Sequence, residues 1–205
     1  MPGARSMKNG VRKDHVMLHE QILFEKLVSD TSRRFVHVPA SRVDEEIEQT
    51  LQTFVESLDA DRGVLYQYDL RKKELYGTHL WARTGPVRKV PEGPRIGTAQ
   101  FPWVHKMLEQ GEVLCIRTLE ELPEEASADK ESFRFFELKS GIAVPLMIGG
   151  KFLGALTLEA LEEERDWPDA LVKRFKVLGE ILANALDRKA SEEKLRRSFA
   201  EIKKL

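Results

Sequence analysis

Histidines, a cysteine and a Gly-Gly-Lys tripeptide are the residues of this chain whose types suit chemistry. His15 and His19 lie four residues apart, which would place both imidazoles on one face of a helix. Zinc proteases use such a pair, but with a glutamate directly after the first histidine and a third ligand. Val16 follows His15 here, and we therefore predict no metal site.

Cys115 is the only cysteine among 205 residues, so the chain has no internal disulfide and suits a reducing compartment. It lies in a predicted strand, and we interpret it as a small buried apolar side chain. The Gly149-Gly150-Lys151 tripeptide lacks the remaining residues of a phosphate-binding loop. It predicts a tight hairpin turn instead, because glycine supplies positive φ at both central positions. No nucleophile is paired with a base, so we predict no catalytic residues and no enzyme.

A set of large side chains predicts a small-molecule pocket. His79 and Trp81 alternate onto one face of a predicted strand. Five more large residues follow in short helical segments: Phe101, Trp103, Met107, Phe133 and Phe136. Together they would line an apolar cavity with a few polar groups, which is typical of a small-molecule site. The alternative that they fill a core without any ligand stays open, and the pattern identifies no cofactor.

The composition is that of a soluble globular protein, with 41% hydrophobic and 33% charged residues. A net charge of -1 gives no electrostatic reason to expect a nucleic acid partner. No apolar run approaches the ~20 residues that span a bilayer. Residues 1–14 are basic and precede no apolar segment, so we expect a mobile leader and a cytoplasmic protein.

Hydrophobic periodicity predicts two N-terminal helices followed by an antiparallel sheet. The first helix runs from His15 to before Pro39, and a capping box of Ser41 and Asp44 opens the second. The predicted strands are Gly63–Asp69, Glu74–Arg83, Glu112–Ile116 and the two arms of a hairpin at Ile142–Leu158. Between them we predict a loop at Thr84–Ala99, a short helix at Phe101–Gln110 and a helical excursion at Leu119–Lys139.

A long helix is predicted from Pro168 to the chain end. Its first half has a broad apolar face that includes Leu178, Ile181 and Ala185. In its second half, Leu195, Phe199 and Ile202 are spaced by four and then three residues, which is the narrow seam of a coiled coil. Such a helix is marginal alone in water, so we predict a homodimer through the terminal helices.

Several short motifs occur in a characteristic order. They are Asp61-Arg62-Gly63-Val64-Leu65, Phe101-Pro102-Trp103, Gly111-Glu112-Val113, Gly141-Ile142-Ala143-Val144-Pro145-Leu146 and Glu180-Ile181-Leu182-Ala183-Asn184-Ala185-Leu186. From about Phe24 to Leu186 the chain resembles a bacterial GAF domain of the type found ahead of histidine kinase or transcription-activator modules. The resemblance implies an α+β fold with a central antiparallel sheet of about five to six strands. Terminal helices would pack on one face, and pocket-forming loops and short helices on the other.

The resemblance also implies a division of the chain into a sensory domain at residues 15–187 and a signalling helix at 188–205. The tail resembles linkers that precede the ATPase module of alternative-sigma-factor activators, or PAS or histidine kinase modules, so the effector would lie beyond residue 205. The chain lacks the Asn-Lys-Phe-Asp-Glu signature of cyclic-nucleotide-binding members. Cys115 does not stand in the setting that attaches bilins, and a single thiol cannot carry out methionine sulfoxide reduction.

These observations predict a sensory domain that binds a small ligand or a partner and transmits the signal through its C-terminal helix. The alternative is a dimerisation module with a filled core and no ligand.

Overall fold

The computed structural model describes residues 22, 24–83 and 95–203. The predicted leader at 1–14, the His15 and His19 pair, and the first part of the predicted loop at 84–99 lie outside the described residues. In the described part, the five helices are α1 (24–37), α2 (Val43–Ser57), α3 (Pro102–Glu109), α4 (Ser127–Phe135) and α5 (Asp169–Ile202). The strands are β1 (Arg62–Asp69), β2 (Glu74–Ala82), β3 (Arg95–Gly97), β4 (Leu114–Ile116), β5 (Ser140–Ile148) and β6 (Lys151–Ala160).

The six strands form one antiparallel sheet in the order β3-β2-β1-β6-β5-β4. This confirms the predicted α+β fold. Two details differ from the prediction. The segment predicted as a loop contains β3, a short edge strand. The predicted helical excursion is broken into two 3-10 turns, Leu119–Glu121 and Glu124–Ala126, followed by α4, because Pro123 between the turns cannot donate to a continuous helix.

Helices α1, α2 and α5 pack on one face of the sheet. The largest apolar cluster joins side chains of all three helices to alternate residues of the central strands; its fully buried members include Ile47, Phe54, Leu65, Leu146, Leu156, Phe175, Leu178 and Leu182. Phe24 of α1 meets Phe54 of α2 edge to face, with ring centroids 5.3 Å apart. The prediction that the terminal helices share one face is therefore confirmed.

The hairpin turn between β5 and β6 has the predicted geometry, with φ of 55° at Gly149 and 78° at Gly150. The predicted capping box is wrong. The α2 helix follows a 3-10 turn at Ala40–Arg42, and no side chain caps either helical start. The carboxylate of Asp44 instead contacts His79 and Lys189. Because these two side chains bind it, it does not cap the helix.

We predict that Gly154→Ala strongly destabilises the domain. Gly154 has a φ of 155°, and a Cβ built there would lie 2.0 Å from the carbonyl oxygen of Tyr66. Forcing these strands apart should lower the free energy of unfolding by about 1–3 kcal/mol or more. Urea unfolding followed by circular dichroism measures the change. Gly97→Ala is the control, because no atom lies within 4 Å of its Cβ position; an equal loss in both variants would contradict the explanation.

Candidate functional site

The face of the sheet opposite α1, α2 and α5 is covered by α3 and α4. Strand register places the β4–β5–β6–β1–β2 residues on this face in rows. One row crosses the sheet as Ile116, Gly141, Glu159, Arg62 and Ala82, and the next as Leu114, Ala143, Thr157, Val64 and Leu80. Arg62 and Glu159 are therefore neighbours in the first row, with the small residues Gly141 and Ala82 on either side of the pair. We call this surface the α3 face.

Three polar residues of the α3 face, Arg62, Thr157 and Glu159, form a hydrogen-bonded patch. Arg62 Nε donates to Glu159 Oε2 at 2.6 Å, and Thr157 Oγ1 donates to Glu159 Oε1 at 2.8 Å. Glu159 is only 8% exposed. Tyr66 lies two residues along β1 from Val64 and is buried; burial, followed by the charge of Glu159, raises the pKa of its phenol. A buried carboxylate held by two donors is a fixed acceptor in an otherwise apolar surface.

The sequence pattern did not predict this patch. Arg62 was predicted only as part of a family motif, and Glu159 follows directly after the predicted hairpin at Ile142–Leu158. The signal that was available is the placement of charged residues inside strands whose other members are buried, since such charges are seldom buried without partners.

An aromatic wall stands over one end of the α3 face. The ring centroid of Phe101 lies 4.9 Å from that of Phe133 and 6.0 Å from that of Phe136. Trp103 and Phe133 pack on the cluster of Ile116, Leu119, Leu122 and Ala126. Met107 packs with Trp103 on the neighbouring cluster that holds Val64, Tyr66 and Leu108. Five of the seven predicted pocket residues therefore lie on the same side of the sheet.

His79 and Trp81 lie on the other side of the sheet, and this separates them from the predicted pocket. They share a face, as predicted, but it is the face of the terminal helices: His79 Nε2 is 3.4 Å from Asp44 Oδ1, and Trp81 packs on the main core. The cause is a β-bulge. Leu65 pairs with His79 but Tyr66 pairs with Gly77, so Thr78 is an extra residue, and an extra residue reverses the alternation that Leu75 and Gly77 begin.

Asp129 joins α4 to the start of α3. Its side chain is fully buried and accepts hydrogen bonds from the backbone N–H groups of Trp103, at 3.2 Å, and Val104, at 2.9 Å. Burial raises the pKa of this carboxyl, and the two backbone hydrogen bonds oppose that shift. Because α3 has no capping side chain of its own, Asp129 satisfies the free N–H groups of its first turn. It thereby positions Trp103 over the α3 face.

The GAF domain family matches residues 42–186 of the sequence. The chain belongs to the GAF family. The comparison with curated proteins gave no match. Solved structures that resemble the chain share the fold at low identity.

Three of these structures illustrate the range of proteins that share the fold. A phycocyanobilin-bound GAF domain from a cyanobacterial phytochrome is 15% identical, with a TM-score of 0.68 over 82% of this chain and 96% of the other. The GAF domain of an Acinetobacter phosphoenolpyruvate-protein phosphotransferase is 10% identical, with a TM-score of 0.65 over 84% and 98%. The free methionine-R-sulfoxide reductase of Neisseria meningitidis, in complex with its substrate, is 15% identical, with a TM-score of 0.64 over 84% and 93%.

Cys115 of this GAF domain is half-buried and packs against the main core, on the side of the terminal helices. Burial is the first cause of its raised pKa, so the thiol is a poor nucleophile. The described residues contain no group of three or more histidine, cysteine or acidic side chains placed to hold a metal ion.

His105 of α3 packs beside two aromatic side chains, Tyr68 of β1 and Phe152 of β6. Its imidazole centroid is 5.1 Å from that of Tyr68 and 5.9 Å from that of Phe152. Burial lowers its pKa, and Nδ1 has no hydrogen-bond partner among the described residues. Tyr68 and Phe152 also line an open groove of about 500 Å³ between the strand ends and α5, which Leu186 and Lys189 close on the helix side. The sequence pattern did not predict this groove.

The α5 helix of the GAF domain runs for 34 residues. Leu178, Ile181 and Ala185 were predicted as residues of the dimer and signalling helix, but Leu178 and Ala185 are buried in the domain's own core, and Ile181 is half-buried against it. From residue 190 to 203 every side chain is exposed. The surface of α5 left open to a partner is therefore the seam in its second half, where Leu195 is 58%, Phe199 57% and Ile202 66% exposed.

Two basic residues fix α5 where it leaves the body of the domain. Arg188 Nη2 donates to the carbonyl oxygens of Phe35, at 2.9 Å, and Val38, at 2.8 Å. These carbonyls lie at the end of α1, where such groups lack partners within the helix. Lys189 Nζ lies 2.5 Å from Asp44 Oδ2 on α2. We call the Arg188 and Lys189 contacts the root of α5.

We predict that Asp129→Ala lowers the free energy of unfolding by about 1–3 kcal/mol, because two buried N–H groups lose their acceptor. Asp129→Asn should cost less, since the amide oxygen still accepts a hydrogen bond. Urea unfolding followed by circular dichroism gives both values. Equal, small losses of under about 0.5 kcal/mol in both variants would show that Asp129 does not hold α3.

Proposed function

We propose that this GAF domain is a sensory or regulatory module that transmits a signal through α5 to a downstream effector. The effector would be a transcription activator or a histidine kinase, as the linker-like tail suggests. The observation that carries the proposal is the continuity of α5. One helix begins in the main core, passes its root at Arg188 and Lys189, and ends as an exposed apolar seam. A displacement of the core-facing half therefore moves the seam.

A homodimer through the terminal helices is the second part of the proposal. Among the described residues eight large apolar side chains are exposed, and five of them lie on α1 or α5: Val36, Val177, Leu195, Phe199 and Ile202. The last three have the spacing of a coiled-coil seam. A second copy of the chain offers a matching seam, because a two-fold interface pairs a surface with itself.

Ligand binding is the third part of the proposal, and the α3 face is where we place it. Its polar patch offers a fixed guanidinium–carboxylate pair, and the Phe101, Phe133 and Phe136 wall offers apolar area, the combination that small-molecule sites use. The phycocyanobilin-bound neighbour makes a bilin one candidate class. Covalent attachment at Cys115 has no support, because that thiol lies on the opposite side of the sheet.

The alternative is a dimerisation module without a ligand. One observation favours it: the cluster on the α3 face that includes Val64, Tyr66, Leu108, Leu114 and Phe152 is already buried by the chain itself. We do not propose catalysis, although one structural neighbour is a reductase, because the only thiol is half-buried with a raised pKa. None of the described helices is long and apolar enough to cross a membrane, and we propose a cytoplasmic location.

We predict that Phe199→Glu converts the dimer to a monomer in sedimentation velocity experiments. A carboxylate in the seam would face its own copy in an apolar interface, where an unpaired charge is costly. Ala200→Glu is the matched control. It adds the same charge one residue away, at an exposed position outside the four-three spacing, and should remain dimeric. A wild-type chain that is monomeric at every concentration would refute the dimer.

We predict that a ligand of the α3 face stabilises the wild-type domain by about 2.7 kcal/mol at 100 times its dissociation constant. Bilins, nucleotides, amino acids, haem and aromatic acids form the thermal-shift panel. Arg62→Met should abolish the shift by removing the guanidinium of the polar patch. Arg83→Met, which removes an arginine paired with Asp59 just beyond β2, should retain it. A panel without any shift would favour the dimerisation module.

A further inference from the structure

A chain of polar contacts crosses from the sheet to the root of α5 through α2. His79 of β2 is 94% buried, and its Nε2 lies 3.4 Å from Asp44 Oδ1. The other oxygen of the same carboxylate, Oδ2, lies 2.5 Å from Lys189 Nζ. The carboxylate of Asp44 thus contacts one side chain from a strand, His79, and one from α5, Lys189. Asp44 is therefore the residue that links His79 to Lys189.

The bulge residue Thr78 extends this chain into β1. Its Oγ1 lies 2.9 Å from His79 Nδ1 and donates to the carbonyl oxygen of Leu65 at 3.3 Å. A hydroxyl carries one proton. When His79 is neutral with its proton on Nε2, Thr78 must donate to Nδ1 and cannot donate to Leu65. When His79 is neutral with its proton on Nδ1, a lone pair faces Asp44. Only the imidazolium satisfies Leu65, Thr78 and Asp44 together.

Two opposing influences set the charge of His79. Burial is the largest and lowers its pKa, while Asp44 and Glu48 of α2 raise it and Lys189 of α5 lowers it again. The folded pKa lies below the ordinary value of 6.5. The fold therefore favours the neutral form of His79. The contribution of neutral His79 to the free energy of unfolding is fully present above pH 6.5 and is lost as the pH falls from 6.5 toward the folded pKa.

We propose that His79, Asp44 and Lys189 form a protonation-sensitive latch that sets how firmly α5 is held at its root. When His79 is protonated, His79 and Lys189 are two cations that share the Asp44 carboxylate. Each cation therefore weakens the attraction between the carboxylate and the other. Protonation tightens the Thr78 and Leu65 contacts inside the sheet and loosens Lys189 from Asp44. The inference rests on the proposed function only in taking α5 as the element that transmits a signal.

The reciprocal nature of coupling gives a direct test. The pKa of His79 is measured by proton NMR of the full chain, and the resonance is assigned by its loss in His79→Gln. Asp44→Asn should lower this pKa by about one unit, because an opposite charge is removed. Lys189→Gln should raise it, because a competing cation is removed. Lys176→Gln, at an exposed lysine on α5, is the control and should leave it unchanged. An unchanged pKa in Lys189→Gln would overturn the latch.

The second measurement is backbone hydrogen exchange of α5 residues 186–193, corrected for the intrinsic pH dependence of exchange. Exchange should be faster at pH 5.5 than at pH 7.5 in the wild type, and equal at the two values in His79→Gln. The same acid sensitivity in both would overturn the proposal. If His79→Gln fails to fold, Thr78→Val replaces it and should lower the pKa of His79. A monomeric wild type in sedimentation would refute the dimer, while the titration would still decide the latch.

Discussion

The packing of α5 against β5 is the contact on which the rest of the molecule depends. Gly179 allows the helix to approach the strand, since a Cβ there would lie 2.9 Å from Val144 Cγ2. Phe175, Leu178 and Leu182 of the same helix are among the most buried side chains of the main core. Moving this half of α5 would expose their surface at a cost of about 25 cal/mol per Å². The exposed half is therefore held by the same core that stabilises the fold.

The sheet separates two chemically different faces. The face of the terminal helices carries the main apolar core, and near β2 His79 meets Asp44 there. The α3 face carries the Arg62 and Glu159 pair and the aromatic wall. An event on one face must pass through the strands or around their ends to influence the other. At the bulge, the hydroxyl of Thr78 contacts both β1 and His79. It thereby connects β1 to the series of polar contacts that reaches α5.

Elements with strong local patterns were predictable from the sequence. The glycine pair of the hairpin, the apolar stripes of the helices and the late seam of α5 are each set by neighbours in the chain. The face occupied by His79 was not, because it depends on a bulge, and a single extra residue leaves no clear trace in the alternation. The buried state of Leu178 was also missed, since an apolar stripe does not say which surface covers it.

The polar positions of the candidate site were the least predictable. Asp129 acts on the start of α3, 25 residues away in the chain, and Glu159 meets Arg62 across 97 residues. Such partners are brought together only by the tertiary fold. The supposed capping role of Asp44 shows the same limit: a local motif was present, but a histidine and a lysine from distant elements bind its carboxylate.

The arrangement of α5 has a mechanical consequence. Its first half packs in the main core. An ordinary α-helix has about 3.6 residues per turn, whereas a paired coiled-coil seam requires about 3.5, a difference of about 20° over each heptad. The two halves meet near Arg188, so in the proposed dimer the winding of the paired helices would end at a fixed point. Torque, more than a push along the axis, is then the natural form in which strain would pass down this rod.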